Sequence, residues 1–92
     1  MRQKLLHTGF SNYVLIDKII AIMNSDSAPV KRMIINGKKD GNVLDVTHGR
    51  KTKSVIVLEN RQLLLSAINT DKLAERISKE LIVSREEEGK NV

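Results

Sequence analysis

A short basic stretch at residues 47–53 holds the side chains best suited to binding chemistry. Arg50, Lys51 and Lys53 are cationic, and His48 precedes them beside Gly49. A run of strand-forming residues follows directly. Long cationic side chains on a turn project away from a sheet, so they can reach phosphate or carboxylate groups on a partner. This turn is therefore the leading candidate for contact with an acidic partner; the alternative is an ordinary solvated turn.

The positive charge of the chain is concentrated around this turn. The formal charge is +5, and residues 31–53 alone carry +5, from seven basic and two acidic side chains. Concentrated charge creates a local positive field, which makes nucleic acid a competitive partner. Phe10 and Tyr13 are the only aromatic residues, which favours duplex DNA held through its phosphates over base-stacked single strands. The seven basic residues are Lys31, Arg32, Lys38, Lys39, Arg50, Lys51 and Lys53.

Other kinds of site find little support among the remaining residues. Asp45 and His48 could form a carboxylate–imidazole pair, but no convincing nucleophile accompanies them. His7 is far from His48 in the sequence and cysteine is absent, so neither a zinc pattern nor a disulfide framework is expected. The glycines lack the spacing of a phosphate-binding loop. We therefore expect no enzymatic activity, no cofactor and no metal.

Length and composition predict one domain with a thin aliphatic core. We place this domain at residues 1–83 and expect a charged, flexible C-terminal tail at 84–92. A domain of this size buries only about 60–65% of the surface that its unfolded chain exposes. Neither a signal peptide nor a membrane span is recognisable, so we expect a cytoplasmic protein.

The hydrophobic patterns predict an α+β fold with about five strands and two helices. A mostly antiparallel sheet is expected, with the helices covering one face. Residues 10–16 are ambiguous between a strand and a loop with a helical turn. The strands are predicted at Leu5–His7, Ile19–Met23, Val43–Val46, Ser54–Leu58 and Gln62–Ile68.

Two helices follow from cap residues and apolar periodicity. The first is predicted over Ala28–Lys39, with Ser27 as its N-cap and an αL-tolerant stop at residues 40–42. Its inner face comprises Val30, Met33, Ile34 and Gly37. The second is predicted to have Thr70 as its N-cap. Its apolar stripe comprises Leu73, Ala74, Ile77 and Leu81.

Two of the predicted strands are apolar at consecutive positions, Val55–Leu58 and Leu63–Leu65. A sheet with one wet face would alternate between apolar and polar residues, so these strands need cover on both sides. With the helices on one face, the other face is expected to meet a second copy of the chain. The alternative is a strand buried inside a single small core. The pattern favours a homo-oligomer in which Ser54–Leu58 supplies surface for assembly.

Several motifs occur in the order in which one known family has them. Together, across roughly residues 5–80, they resemble the RemA family, bacterial regulators of extracellular-matrix (biofilm) genes. The Ser-Ala-Pro-x-Lys-Arg and Asp-x-Thr-x-Gly-Arg-x-Thr motifs are the most specific part. The motifs are Gly9-Phe-Ser-Asn12, Ile19-Ile-Ala-Ile22, Ser27-Ala-Pro-Val-Lys-Arg32, Asp45-Val-Thr-His-Gly-Arg-Lys-Thr52, and Ser54-Val-Ile-Val-Leu58 with Leu65-Ser-Ala-Ile68.

The resemblance implies a DNA-binding transcriptional regulator, usually an activator of matrix genes, without enzymatic activity. It implies a nucleoid-associated protein that forms a ring-shaped homo-oligomer, expected to be an octamer, and presents many copies of one basic site. Several weak sites on one rim bind together through their effective concentration. The alternative is a ring-shaped scaffold whose basic surface binds an acidic partner protein.

The resemblance also assigns candidate DNA-binding residues. Family members contact DNA through an arginine pair in a Gly-Arg-Arg turn and a basic residue before the second predicted strand. The matching positions here are Arg50, Lys51 and Lys18. Lysine at positions 18 and 51 supplies charge without the planar fork of arginine, so contacts to phosphate are expected to persist. With the neighbouring basic residues, the DNA-binding set is Arg50, Lys51, Lys18, Lys53, Arg32 and Lys31.

Overall fold

The computed structural model describes residues 4–90, with side chains described through residue 80. Six strands and two helices make an α+β fold, one strand more than predicted. A 3₁₀ turn at Ile16–Lys18 connects the second strand to the third. In chain order the elements are β1 (Leu5–Gly9), β2 (Asn12–Leu15), β3 (Ile19–Asn24), α1 (Ala28–Asp40), β4 (Val43–Asp45), β5 (Ser54–Leu58), β6 (Leu63–Ser66) and α2 (Thr70–Lys90).

The strands form two sheets. β1 and β2 make an antiparallel hairpin, and the other four strands are ordered β3-β5-β6-β4. β5 pairs antiparallel with both β3 and β6, which confirms the prediction of a mostly antiparallel sheet. β4 is the exception, because it pairs parallel with β6. The long connection from β4 to β5 crosses the end of β6, and this connection contains the basic turn.

The four-stranded sheet is covered on both faces by its own chain. On one face, Val55 and Leu65 pack against Val30 and its neighbours on α1. On the other, Ile56 packs in a cluster with Leu6 of the hairpin and Leu73 of α2. The prediction that both helices cover one face is therefore wrong. β5 is also not an assembly surface, because Val55 and Ile56 are both 0% exposed in the single chain.

The helix ends follow the local cap chemistry. Ser27 Oγ accepts from the amide of Val30 at 3.4 Å, and Gly41 ends α1 with a φ of 74°, which confirms both predicted caps. The N-cap of α2 is Asn69 rather than Thr70, since Asn69 Oδ1 accepts from the amide of Lys72 at 2.9 Å. Within residues 4–90, neither helix has the length and apolar content that a membrane span requires.

The apolar faces of the helices match the predicted stripes with one exception. On α1, Val30 and Gly37 are buried, and the other two residues of the predicted stripe, Met33 and Ile34, are half-buried. On α2, Leu73 is buried but Ala74 is exposed. The side chain of Leu81 lies outside the described residues. α2 continues through residues 84–90, where a tail was predicted; the flexibility of that segment stays a prediction, and residues 1–3 and 91–92 lie outside the described part.

The topology brings several chain segments to one end of the sheet. β3, β4 and β6 end there at Asn24, Asp45 and Ser66, and β5 begins there at Ser54. We call this end the basic edge, because the basic turn lies across it. The hairpin is fastened to the same end: Ser66 Oγ donates a buried hydrogen bond of 2.9 Å to the carbonyl of Thr8.

Candidate nucleic-acid interface

The basic turn is fixed at both ends to β6. The amide of Val46 donates to the carbonyl of Leu65 at 3.1 Å as the chain leaves β4. The amide of Lys53 donates to the carbonyl of Ser66 at 2.9 Å as the chain enters β5. The residues between these two bonds span the basic edge: Thr47 is buried, and residues 48–51 are exposed to solvent.

Asp45 and Thr47 shape the start of the turn. Asp45 Oδ1 accepts from the amide of Thr47 at 2.9 Å and from its hydroxyl at 2.6 Å. These two hydrogen bonds, helped by the charge of Lys38, hold the pKa of the Asp45 carboxyl below its usual value. The amide of Arg50 then donates to the carbonyl of Thr47 at 3.1 Å. Asp45 therefore organises the backbone, and His48, its predicted alternative partner, makes a different contact.

The backbone at the tip of the turn turns the basic side chains outwards. His48 and Gly49 both have positive φ, 57° and 80°. Such a conformation is uncommon for histidine and easy for glycine. Arg50, Lys51 and Lys53 follow, and all three are exposed. The sequence-based placement of these three cations on a solvent-facing turn agrees with this geometry.

Phe10 joins this surface from a distant part of the chain. Its ring stacks on His48, with ring centroids 4.8 Å apart and planes inclined by 25°. The guanidinium carbon of Arg50 lies 5.6 Å from the centroid of the same ring. Phe10 was not among the site residues predicted from the sequence. Its only signal was an aromatic side chain between Gly9 and Asn12, which are typical turn residues.

The start of α1 lies beside the same turn. Ser25 Oγ donates to the carbonyl of Thr52 at 2.8 Å, and the amide of Ser25 donates to the carbonyl of Lys53 at 3.2 Å. α1 begins three residues later, so the exposed Lys31 and Arg32 belong to the helical turns nearest the basic edge. These two predicted site residues extend the cationic surface from the turn onto the helix.

Both helices begin at the basic edge, which adds to its positive potential. The N-terminus of a helix carries a partial positive charge. Asn69, the N-cap of α2, lines a cavity of about 220 Å³ together with Lys51, Lys53 and Asn24. Asp26 and Thr52 complete the lining of this cavity. Two helix dipoles and five cations therefore act on the same side of the molecule, opposed by the carboxylates of Asp26, Asp45 and Asp71.

Lys18 lies away from the other predicted site residues. It precedes β3, whose first residue pairs with Leu58 at the far end of β5. At about 3.3 Å per residue, the length of β3 places Lys18 roughly 20 Å from the basic edge. Its ammonium group is 3.5 Å from Glu59 Oε1. One chain therefore does not combine Lys18 with Arg50 and Lys51 in a single contact patch.

Metal-ligand groups do not converge on this surface. Among the described residues, no three histidine, aspartate or glutamate side chains come close enough together to hold a metal ion. Beside the carboxylates of Asp26, Asp45 and Asp71, the polar groups of the basic edge are ammonium, guanidinium, amide and hydroxyl groups, which can all donate hydrogen bonds. Such donors are suited to phosphate and other oxyanions.

Fold and charge distribution together define a small α+β protein with one basic edge. Its sequence matches the RemA-like family, described as extracellular matrix regulatory protein A-like, over residues 5–77. The chain belongs to this family, which confirms the resemblance found in its motifs.

Three relatives illustrate the match. A protein of Desulfosudis oleivorans is 46% identical over 77 residues, covering 84% of this chain and 79% of the relative. One from Lachnoclostridium phytofermentans is 44% identical, covering 90% and 92%. One from Synechococcus elongatus is 42% identical, covering 84% and 88%. Each relative carries the name "Putative regulatory protein", a name for a regulator rather than an enzyme.

Proposed function

We propose that this chain is a DNA-binding transcriptional regulator that activates extracellular-matrix genes and binds duplex DNA through its basic edge. The observation that carries the proposal is the convergence of Arg50, Lys51, Lys53, Lys31 and Arg32 with the starts of both helices. The regulator class comes from the family and the names of its members. The nucleic-acid partner comes from the charge and donor chemistry of the edge.

The contact to DNA is dominated by phosphate. Lysine and arginine side chains that neutralise phosphates release condensed counterions, so affinity falls steeply as salt rises. Arg50 has a second capacity, because its planar fork can bind a phosphate or a guanine edge through two hydrogen bonds. Lys51 and Lys53 supply charge on either side of Thr52. This arrangement favours a regulator that recognises the backbone and shape of DNA.

We further propose a homo-oligomeric ring, an octamer, that repeats the basic edge around a rim. β3 and β4 are the two outer strands of the four-stranded sheet, and each exposes a large apolar residue: Ile20 is 66% exposed and Leu44 is 42% exposed. Two different surfaces at opposite edges of the sheet support head-to-tail contacts, which form a ring when the rotation between neighbouring subunits closes. Repetition strengthens binding, since the later sites of a ring bind at high effective concentration.

Lys18 takes part in this scheme through assembly or through a long DNA contact. A duplex that reaches Lys18 and Arg50 of one chain must extend across the length of the sheet. A neighbouring subunit could also place its own Lys18 beside the Arg50 of the first. Either arrangement includes Lys18 in the DNA-binding surface without requiring it to touch Arg50 within one chain.

The test is a titration of duplex DNA against salt, with the parent chain and an Arg50→Ala variant. The parent should bind with a slope of log affinity against log salt of about −0.9 per neutralised phosphate. Arg50→Ala should abolish binding at moderate salt and leave the oligomer unchanged in light scattering. Lys79→Ala is the matched control, because it removes an exposed cation paired with Glu75 on the outer face of α2. It should bind as the parent does.

Two outcomes would overturn the proposal. If an Arg50→Ala, Lys51→Ala double variant binds duplex DNA as tightly as the parent does, the basic turn is not part of the binding site. A parent chain that binds no duplex at moderate salt would instead support the alternative, a scaffold whose basic edge holds an acidic partner protein. A mass of 10.4 kDa in light scattering, which is that of a monomer, would contradict the proposed ring.

A further inference from the structure

The loop of the β1–β2 hairpin has an unexpected sequence for its conformation. It consists of Phe10 and Ser11, between the paired residues Gly9 and Asn12. Both loop residues have positive φ, 53° and 64°. Positive φ at both central positions is what a type I′ turn requires, and such turns strongly prefer Asn-Gly. A phenylalanine at the first central position is therefore unfavourable for the hairpin itself.

Hydrogen bonds hold this loop without any need for an aromatic ring. Asn12 Nδ2 donates to the carbonyls of Gly9 and Phe10 at 3.0 and 3.2 Å. The amide of Ser11 donates to His7 Nε2 at 3.3 Å. The Phe10 side chain is 43% exposed, so burial in the core does not explain it either. What remains are its two contacts on the basic edge, with His48 and with Arg50.

We propose that Phe10 is a positioning residue for DNA binding, whose ring holds Arg50 and His48 in place at the basic edge. The inference rests on the proposed function. A free arginine on a turn samples many rotamers and loses them when it binds. A guanidinium resting on an aromatic ring is already restricted, and the contact is itself attractive. Residues kept in an unfavourable backbone conformation are typical of functional sites.

Fastening of the hairpin makes this role possible. The hydrogen bond from Ser66 to Thr8 fixes the end of β1 next to the basic edge. The strand then places the two-residue loop beside the turn, where the Phe10 ring stacks on the imidazole of His48. Two loops that are distant in sequence, both with positive φ angles, therefore meet through these side chains.

Phe10→Asn separates a structural role from a positioning role. Asparagine tolerates positive φ far better than phenylalanine, so the variant should unfold at the same temperature as the parent or a higher one. Loss of the ring should weaken duplex binding by about 2- to 5-fold, as expected for an exposed cation–π contact. The salt slope should not change, because no phosphate contact is lost. Arg50→Ala, in contrast, should make the slope shallower by about 0.9 for each subunit that contacts the duplex.

Further variants test whether Phe10 acts through Arg50. Phe10→Tyr keeps the ring and should bind as the parent does, while Phe10→Leu should be weakened like Phe10→Asn. Tyr13→Leu is the matched control, because Tyr13 is the other exposed aromatic of the hairpin and stacks on His7 at 5.1 Å. It should bind normally. At low salt, where residual binding is measurable, Phe10→Asn should cause no further loss in an Arg50→Ala background.

The results distinguish this inference from the proposed function. If the parent binds duplex but Phe10→Asn and Phe10→Leu bind equally well, the positioning role is wrong and DNA binding stands. Additive losses in the double variant would likewise overturn it, because Phe10 would then act independently of Arg50. A parent that binds no duplex overturns the proposed function, and with it any role of Phe10 in DNA binding.

Discussion

The hydroxyl of Ser66 and the carbonyl of Thr8 form a buried hydrogen bond of 2.9 Å across 58 residues of sequence. Ser66 is 0% exposed and Thr8 is 1% exposed. The same hydroxyl accepts from the amide of Ile68 at 3.1 Å. One side chain therefore joins the end of β6 both to the hairpin and to the segment that leads into α2.

Ser66→Ala should destabilise the protein and weaken DNA binding together. It leaves the buried carbonyl of Thr8 and the partly buried amide of Ile68 without this partner, which costs about 1–3 kcal/mol in the free energy of unfolding. The hairpin would then hold Phe10 less firmly against the basic turn. Urea unfolding and duplex titration measure the two effects. Ser78→Ala, at an exposed position of α2, should change neither; a parent-like unfolding midpoint for Ser66→Ala would contradict this role.

Asp45 should make stability depend on pH in the acid range. Because hydrogen bonds from Thr47 lower the folded-state pKa of Asp45 from 3.8, its contribution to stability is complete well above 3.8. It is lost as the pH falls through the lower folded-state pKa. In urea unfolding between pH 7 and pH 2.5, Asp45→Asn should therefore differ most from the parent near neutrality and converge with it in acid.

The matched control for this charge is Asp40→Asn, at an exposed position where α1 ends. It removes the same unit of negative charge from a different place. A constant difference between Asp45→Asn and the parent at every pH would show that the carboxylate charge does not stabilise the turn.

The pairing of Lys18 with Glu59 offers a test of the DNA contact assigned to Lys18. Their side chains are 54% and 59% exposed, and such surface pairs contribute only about 0–1 kcal/mol to stability. If Lys18 contacts phosphate, Glu59→Gln should raise duplex affinity by removing a competing carboxylate. Lys18→Ala should make the salt slope shallower by about 0.9 for each subunit whose Lys18 contacts the duplex.

The chain contains a close control for Glu59. Glu75 pairs with Lys79 at 3.1 Å on α2, away from the proposed contacts. Glu75→Gln changes the net charge by the same amount and should raise affinity much less than Glu59→Gln. Equal gains in duplex affinity from the two variants would show that the effect comes from net charge. Lys18 would then not be a DNA contact.

Gly37 should be intolerant of larger side chains because α1 lies close to the sheet there. A Cβ at this position would sit 3.0 Å from Leu63 Cδ1 and 3.0 Å from Val43 Cγ2. Gly37→Val should therefore lower the free energy of unfolding by about 1–3 kcal/mol through overpacking. Valine and glycine differ little in helix propensity, by about 0.5 kcal/mol at most. Asn36→Val, on the exposed face, is the control, and similar unfolding midpoints for the two variants would contradict the close approach.

Elements with local signals were predictable from the sequence. Ser27, Pro29 and the glycine at position 41 define α1 through contacts within a few residues, and the structure confirms its limits to within one residue. The exposed cations of the basic turn were predictable for the same reason. The N-cap of α2 was misplaced by one residue, since Asn69 and Thr70 are both good caps and only the hydrogen bond to Lys72 distinguishes them.

Elements that depend on distant partners were not predictable. Val55 and Ile56 are apolar whether the second face is covered by a helix of the same chain or by another copy, and the sequence pattern is the same in both cases. The parallel pairing of β4 with β6 leaves no local mark in three residues. The loop at Phe10 was ambiguous because its residues oppose the usual preferences for its turn type.

The sequence by itself determined the elements, the charge of the basic turn and the family, because caps, periodicity and motifs act over short stretches of chain. Only the tertiary structure decided that Phe10 lies over Arg50, that both helices begin at the basic edge and that Lys18 lies at the opposite end. Those relationships come from strand order and from contacts such as Ser66 with Thr8. They are set by packing between residues far apart in sequence. Neither the entropy lost in bringing such residues together nor the contact energy gained can be read from one short stretch of chain.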